Sequence, residues 1–148
     1  MGICCSKKSL ENTTIDVPEF SLSGYKCYCK VLDVYDGDTI TLGFIFSKNI
    51  YKKRCRLEGI DCAEIRTKNP EEKEYGLRTK EHVKKLLLNN IVWVEFSEEK
   101  NDKYGRMLAK IYLKKGEKSI DKILIENGWG YEYHGNKKKH FEEWYIKK

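Results

Sequence analysis

Three stretches with strand character, residues 25–34, 39–46 and 50–57, follow one another so closely that the chain between them can only turn back on itself. The first is rich in Tyr, Cys and Val, and in the second Ile40, Leu42 and Phe44 alternate toward one face. Asp36-Gly37-Asp38 and Ser47-Lys48-Asn49 supply the turns, since glycine tolerates positive φ and Asp or Asn readily closes a turn. A helical crossover needs a dozen or more residues, so these strands form an antiparallel meander. Pro70, Glu71 and Glu72 then mark a helix start. Leu77, Val83, Leu86 and Leu87 are its expected apolar face, and Asn89-Asn90 its end. A fourth strand is expected over Ile91 to Phe96 and a fifth over Met107 to Leu113. Ser119 is expected to cap a short helix that turns Ile120, Ile123 and Leu124 inward and stops at Gly128. A last amphipathic helix is expected over about 138–145. The expected class is α+β, mainly β: a five-stranded OB-type barrel with about three flanking helices, its edges removed by closure.

The chain has 148 residues, 40% hydrophobic and 35% charged, a balance suited to one soluble folded unit. No apolar run reaches the roughly 20 residues that span a bilayer. The expected division is an N-terminal tail and linker over 1–24 and one domain over 25–148. Lys and Arg outnumber Asp and Glu by 29 to 23, favouring a polyanionic partner, nucleic acid or an acidic membrane surface. The start, Met1-Gly2-Ile3-Cys4-Cys5-Ser6, fits N-myristoylation at Gly2 and S-palmitoylation at Cys4 and Cys5, with Lys7 and Lys8 adding attraction to anionic lipid. This predicts a lipid anchor on a cytoplasmic membrane face without a transmembrane helix. No secretory apolar run precedes the domain, so the six cysteines are expected as free thiols rather than disulfides. Cys27, Cys29, Cys55 and Cys62 lack the usual zinc-ligand spacing and read as small buried side chains. Trp93, Trp129 and Trp144 read as packing residues. Lys137, Lys138 and Lys139 read as a solvated run, or as a phosphate contact.

The chemistry lies in three clusters: Asp36-Gly37-Asp38-Thr39, Arg56 through Glu64, and Asp102-Lys103-Tyr104-Gly105-Arg106. Asp38 at a turn, with Asp61 and Glu64 just past a strand end, can converge at a barrel rim. An all-oxygen set selects a hard cation such as Ca²⁺ or Mg²⁺. Arg56 and Arg106 add planar guanidiniums able to meet phosphate oxygens with paired hydrogen bonds. Carboxylates for a cation beside guanidiniums for a phosphate is the set that phosphodiester hydrolysis needs.

In this order the Asp-Gly-Asp-Thr turn, the Arg-x4-Asp-x2-Glu segment and Asp-Lys-Tyr-Gly-Arg resemble the staphylococcal nuclease (thermonuclease-like) family, over about residues 25–133. The resemblance implies an OB barrel with flanking helices and Ca²⁺-dependent hydrolysis of DNA and RNA, single-stranded or locally open, leaving 3′-phosphate ends, by a monomer. It implies Asp38, Asp61 and the backbone carbonyl of Cys62 as Ca²⁺ ligands, and Glu64 as the group that positions or deprotonates water. Arg56 and Arg106 would clamp the phosphate, Lys103 and Tyr104 would contact a neighbouring one, and Tyr131 or Tyr133 would stack on a base or touch a phosphate. Where the family has Thr-Pro this chain has Cys62-Ala63, which predicts a looser loop behind Glu64. The alternative reading is a catalytically inactive OB-fold domain that binds nucleic acid or acts as a membrane scaffold.

Overall fold

The computed structural model describes residues 14–16, 21–98, 102 and 104–145. Gly2, Cys4, Cys5 and Lys103 lie outside the described residues. Five strands close into a barrel in the order β1 (Lys26–Val34), β2 (Thr39–Phe46), β3 (Asn49–Leu57), β6 (Met107–Tyr112) and β5 (Ile91–Phe96). This is the expected OB-type barrel of an α+β, mainly β domain. The meander is antiparallel, and closure comes from the parallel pairing of Cys55, Arg56 and Leu57 with Met107, Leu108 and Ala109. Ser47 and Lys48 both have positive φ, 50° and 69°, the twist a two-residue hairpin needs between right-twisted strands. Inside, Val31, Ile40, Leu42, Leu57, Val92, Val94 and Ile111 are buried, with Cys29 and Cys55 among them as free thiols.

Helix α1 (Pro70–Leu87) starts where Pro70 and the Asn69 cap put it, the Asn69 side-chain Oδ1 accepting from the Glu71 and Glu72 amides at 3.0 and 3.2 Å. Its buried stripe is Gly76, Thr79, Val83 and Leu87. Leu77, expected on that face, is 46% exposed. The contact is too close there for a large side chain, because a Cβ on Gly76 would stand 2.8 Å from the Ala63 carbonyl oxygen. Helix α2 (Ile120–Glu126) buries Ile120 and Leu124, but the Ser119 hydroxyl makes no cap bond. Helix α3 is only Phe141–Trp144, capped by His140 and Glu143, so residues 138–140 are not helical.

Two further strands lie outside the barrel and outside the sequence expectation. β4 (Gly59–Cys62) pairs antiparallel with β7 (Gly130–Tyr133), setting Asp61 opposite Tyr131 and Cys62 opposite Gly130. At four residues each they carry too little alternation to register as strands. This ribbon fixes the second cluster, since Asp61 sits on it and Glu64 follows it.

Candidate active site

All three clusters line or border one cleft of about 900 Å³ at the barrel rim, walled by Tyr35, Asp38, Arg56, Glu64, Arg106 and Tyr133, among others. One hydrogen-bond chain runs through it. The Arg106 guanidinium donates from Nε to Asp102 at 2.7 Å and from Nη1 to the Thr39 hydroxyl at 2.8 Å. Thr39 donates to Asp38 Oδ1 at 3.0 Å. Arg56 Nη2 donates to Asp38 Oδ2 at 3.0 Å and to Asp61 Oδ1 at 2.5 Å. Lys138 Nζ then bridges Asp61 Oδ1 at 2.8 Å and Glu64 Oε1 at 2.9 Å.

Each link has a local cause. Asp102 holds the third turn by accepting from the Tyr104 and Arg106 amides, both at 2.9 Å. Burial pushes its carboxyl up, but the Arg106 and Tyr104 hydrogen bonds outweigh that and hold it below the usual range. Gly37 is needed in the first turn because a Cβ there would meet Thr79 at 2.7 Å and Cys62 at 2.8 Å. Cys62 and Ala63 are buried, at 6% and 3% exposure. They pack closely against Gly37 and Gly76.

The two arginines keep donors in reserve. Arg56 is 7% exposed, yet only Nη2 is engaged among the described residues; Nε and Nη1 are left, with the guanidinium carbon 5.3 Å from the Tyr133 ring centre. Arg106 likewise uses Nε and Nη1 and leaves Nη2, its guanidinium carbon 5.5 Å from the Tyr104 ring centre. Both arginines line the cleft. A guanidinium anchored on one side by carboxylate or hydroxyl presents the rest of its fork in a fixed direction, as binding a phosphate requires.

The two tyrosines separate. Tyr133 lines the cleft, whereas Tyr131 is 7% exposed and works behind it. The Tyr131 hydroxyl donates to Asp61 Oδ2 at 2.9 Å and accepts from the Lys139 amide at 3.0 Å. Burial, with the bond to Asp61, pushes that hydroxyl up to about 12, so it stays a donor. Lys138 is the participant sequence reasoning did not single out. Its partners are 74 and 77 positions away, and nothing in a run of three lysines says which one turns inward.

Burial is the main cause that pushes the Asp38 carboxyl up to about 7; Asp36 and Asp61 add to it, and Arg56 and Thr39 oppose it. Among the described residues no group of three or more His, Cys, Asp or Glu encloses a point able to hold a metal. The donor chemistry nevertheless fits a hard divalent cation: two buried carboxylates meet at one Arg56 nitrogen and a third is one Lys138 ammonium away, an all-oxygen set. The ammonium of Lys138 occupies the gap between Asp61 and Glu64. Lys138→Met is expected to strengthen binding of any divalent cation to these carboxylates, read by calorimetry; unchanged affinity would show that Lys138 does not compete.

Residues 54–146 match the family model described as staphylococcal nuclease homologue. The thermonuclease of Staphylococcus hyicus is 35% identical over 99 residues, covering 67% of this chain and 55% of the relative. That of Staphylococcus intermedius is 37% identical over 95 residues, covering 64% and 53%. An uncharacterized protein of Methanocaldococcus jannaschii is 33% identical over 129 residues, covering 74% and 60%. The chain thus spans about half the length of the thermonucleases it matches.

Proposed function

Since the chain belongs to the staphylococcal nuclease homologue family, we propose that it is a Ca²⁺-dependent nuclease that hydrolyses DNA and RNA with little sequence preference and leaves 3′-phosphate ends. The observation that carries this reading is the single hydrogen-bond chain from Asp102 through Asp38 and Asp61 to Glu64, which leaves the spare donors of Arg56 and Arg106 on one cleft. In this reading those donors hold the phosphate oxygens and neutralise the charge that grows on them as water attacks. Glu64, exposed and with Oε2 unengaged among the described residues, takes the proton from that water. Tyr131 and Arg56 hold Asp61 in place, and Thr39 and Arg56 hold Asp38. A bound Ca²⁺ would rest on Asp38 and Asp61 and supply Lewis-acid stabilisation of the phosphoryl oxygens. Tyr104 and Tyr133 border the phosphate site, Lys103 adds a charge in the same turn sequence, and the carbonyl of Cys62 is the third protein ligand the family relation implies.

Chemically synthesised, 5′-labelled single-stranded DNA tests the outcome. In Ca²⁺ it should yield fragments whose gel mobility changes after phosphatase treatment, beyond the change in the label itself. Fragments ending in a free 3′-hydroxyl would exclude this reaction. The acylation pattern at Gly2, Cys4 and Cys5 supports a further part of the proposal, an enzyme held at a cytoplasmic membrane face. Gly2→Ala is then expected to move the protein from the membrane pellet to the soluble fraction, and a variant that stays in the pellet would refute this anchor.

A further inference from the structure

Beside the phosphate clamp, three cations surround one aromatic ring. Arg54, Arg66 and Lys80 lie 5.1, 5.4 and 5.9 Å from the Tyr35 ring centre. They come from three different parts of the chain: strand β3, the segment after β4, and helix α1. None has a carboxylate partner within ion-pair distance among the described residues, although the carboxylates of Asp36 and Glu64 line the same cleft. Three like charges gathered round one ring repel one another, and such a cluster is relieved when an anion enters.

Placement gives the anion its identity. Tyr35, Arg54 and Arg66 line the same cleft as Arg56, Glu64 and Arg106. Arg54 and Arg56 are two apart on β3, so they emerge on the same face, about 7 Å apart along the strand. The side chain between them, Cys55, points into the barrel core. A chain of phosphates passing the clamp at Arg56 therefore meets Arg54 next, with Tyr35 beside it. Arginine and tyrosine together suit the two parts of a nucleotide: phosphate on the guanidinium, base on the ring. A base paired within a duplex is stacked on its neighbours and cannot cover that ring.

Resting on the nuclease reading, we propose that Tyr35, Arg54, Arg66 and Lys80 form a subsite for the nucleotide adjoining the scissile phosphate, with an unpaired base against Tyr35. The phosphate draws Arg54 and Arg66 off the Tyr35 ring, Lys80 contributes charge from the helix, and the base takes the face the guanidiniums leave.

Binding can be read apart from cleavage in a Glu64→Gln background, by anisotropy of a labelled single-stranded oligonucleotide against salt concentration. Adding Arg54→Gln with Arg66→Gln should weaken binding at least tenfold and flatten the salt dependence by about 0.7 in logarithmic slope, the value for one lost phosphate contact on a single strand. Tyr35→Ala should cost about tenfold while Tyr35→Phe keeps affinity, as stacking predicts. Lys114→Gln with Lys122→Gln removes the same charge outside the cleft lining and serves as the control. Arg54 and Arg66 are exposed, so circular dichroism should show the fold retained, and Arg66→Gln alone provides a milder variant. If the cleft variants bind like the control, or if Tyr35→Ala weakens duplex as much as single strand, the subsite is wrong even where the Glu64 protein cuts DNA. A parent that neither binds nor cuts the oligonucleotide would remove the subsite and the nuclease reading together.

Discussion

Asp38→Asn is expected to make the protein more stable at pH 8 and to abolish cleavage. The Asp38 carboxyl is buried, at 7% exposure, and pushed up to about 7, chiefly by that burial and further by Asp36 and Asp61. The unfolded chain has an ordinary carboxyl near 4. Between those values the native state holds the proton more tightly than the unfolded state, so stability falls as pH rises from about 4 through 7. Above that window the folded protein carries a buried charge that costs on the order of a few kcal/mol. Asparagine fills the same space, can still accept from Thr39, and leaves Arg56 with Asp61. Melting temperature should rise by several degrees at pH 8, and the gain should shrink toward pH 5 as the native Asp38 takes up its proton. Ca²⁺ should raise the melting temperature of the parent at pH 8 much more than that of the variant, because binding to the native state alone stabilises it. A lower melting temperature for the variant at pH 8 would show that the Arg56 pair outweighs desolvation.

Arg56→Lys is expected to cost on the order of 10²–10³ in kcat/KM, the usual loss when one preorganised donor to a developing oxyanion is removed. Arg56 is a short-reach hub: one nitrogen serves Asp38 and Asp61 while Nε and Nη1 remain for substrate. An ammonium is a single point of charge and cannot face both the carboxylates and a phosphate with fixed geometry. Because the charge is retained, the fold should persist, and the loss should fall mainly on kcat rather than on KM. Activity within threefold of the parent would remove Arg56 from transition-state stabilisation.

The five barrel strands were legible because strong alternation and tight turns leave them no other arrangement. The start of α1 was legible because Pro70, Glu71 and Glu72 are local signals, although the Asn69 cap was not singled out. Leu77 was misplaced because the helix turns Gly76, Thr79, Val83 and Leu87 inward, which leaves position 77 beside that stripe, and the Gly76 approach to the Ala63 backbone is set outside the helix. The β4–β7 ribbon was missed because its four-residue strands are held by pairing partners about 70 residues apart. The motif residues Asp38, Arg56, Asp61, Glu64 and Arg106 could be named from their own clusters. That Tyr131 supports Asp61 from behind, and that Lys138 enters between Asp61 and Glu64, depends on the ribbon and could not be read before it.

The most direct measurement is cleavage of heat-denatured DNA by the parent chain and by Glu64→Gln, each with Ca²⁺ and with excess chelator. The account predicts cleavage by the parent in Ca²⁺, none in chelator, and a rate lower by on the order of 10³ for Glu64→Gln, within the range a general base contributes. Cleavage that persists in chelator and survives Glu64→Gln would contradict it.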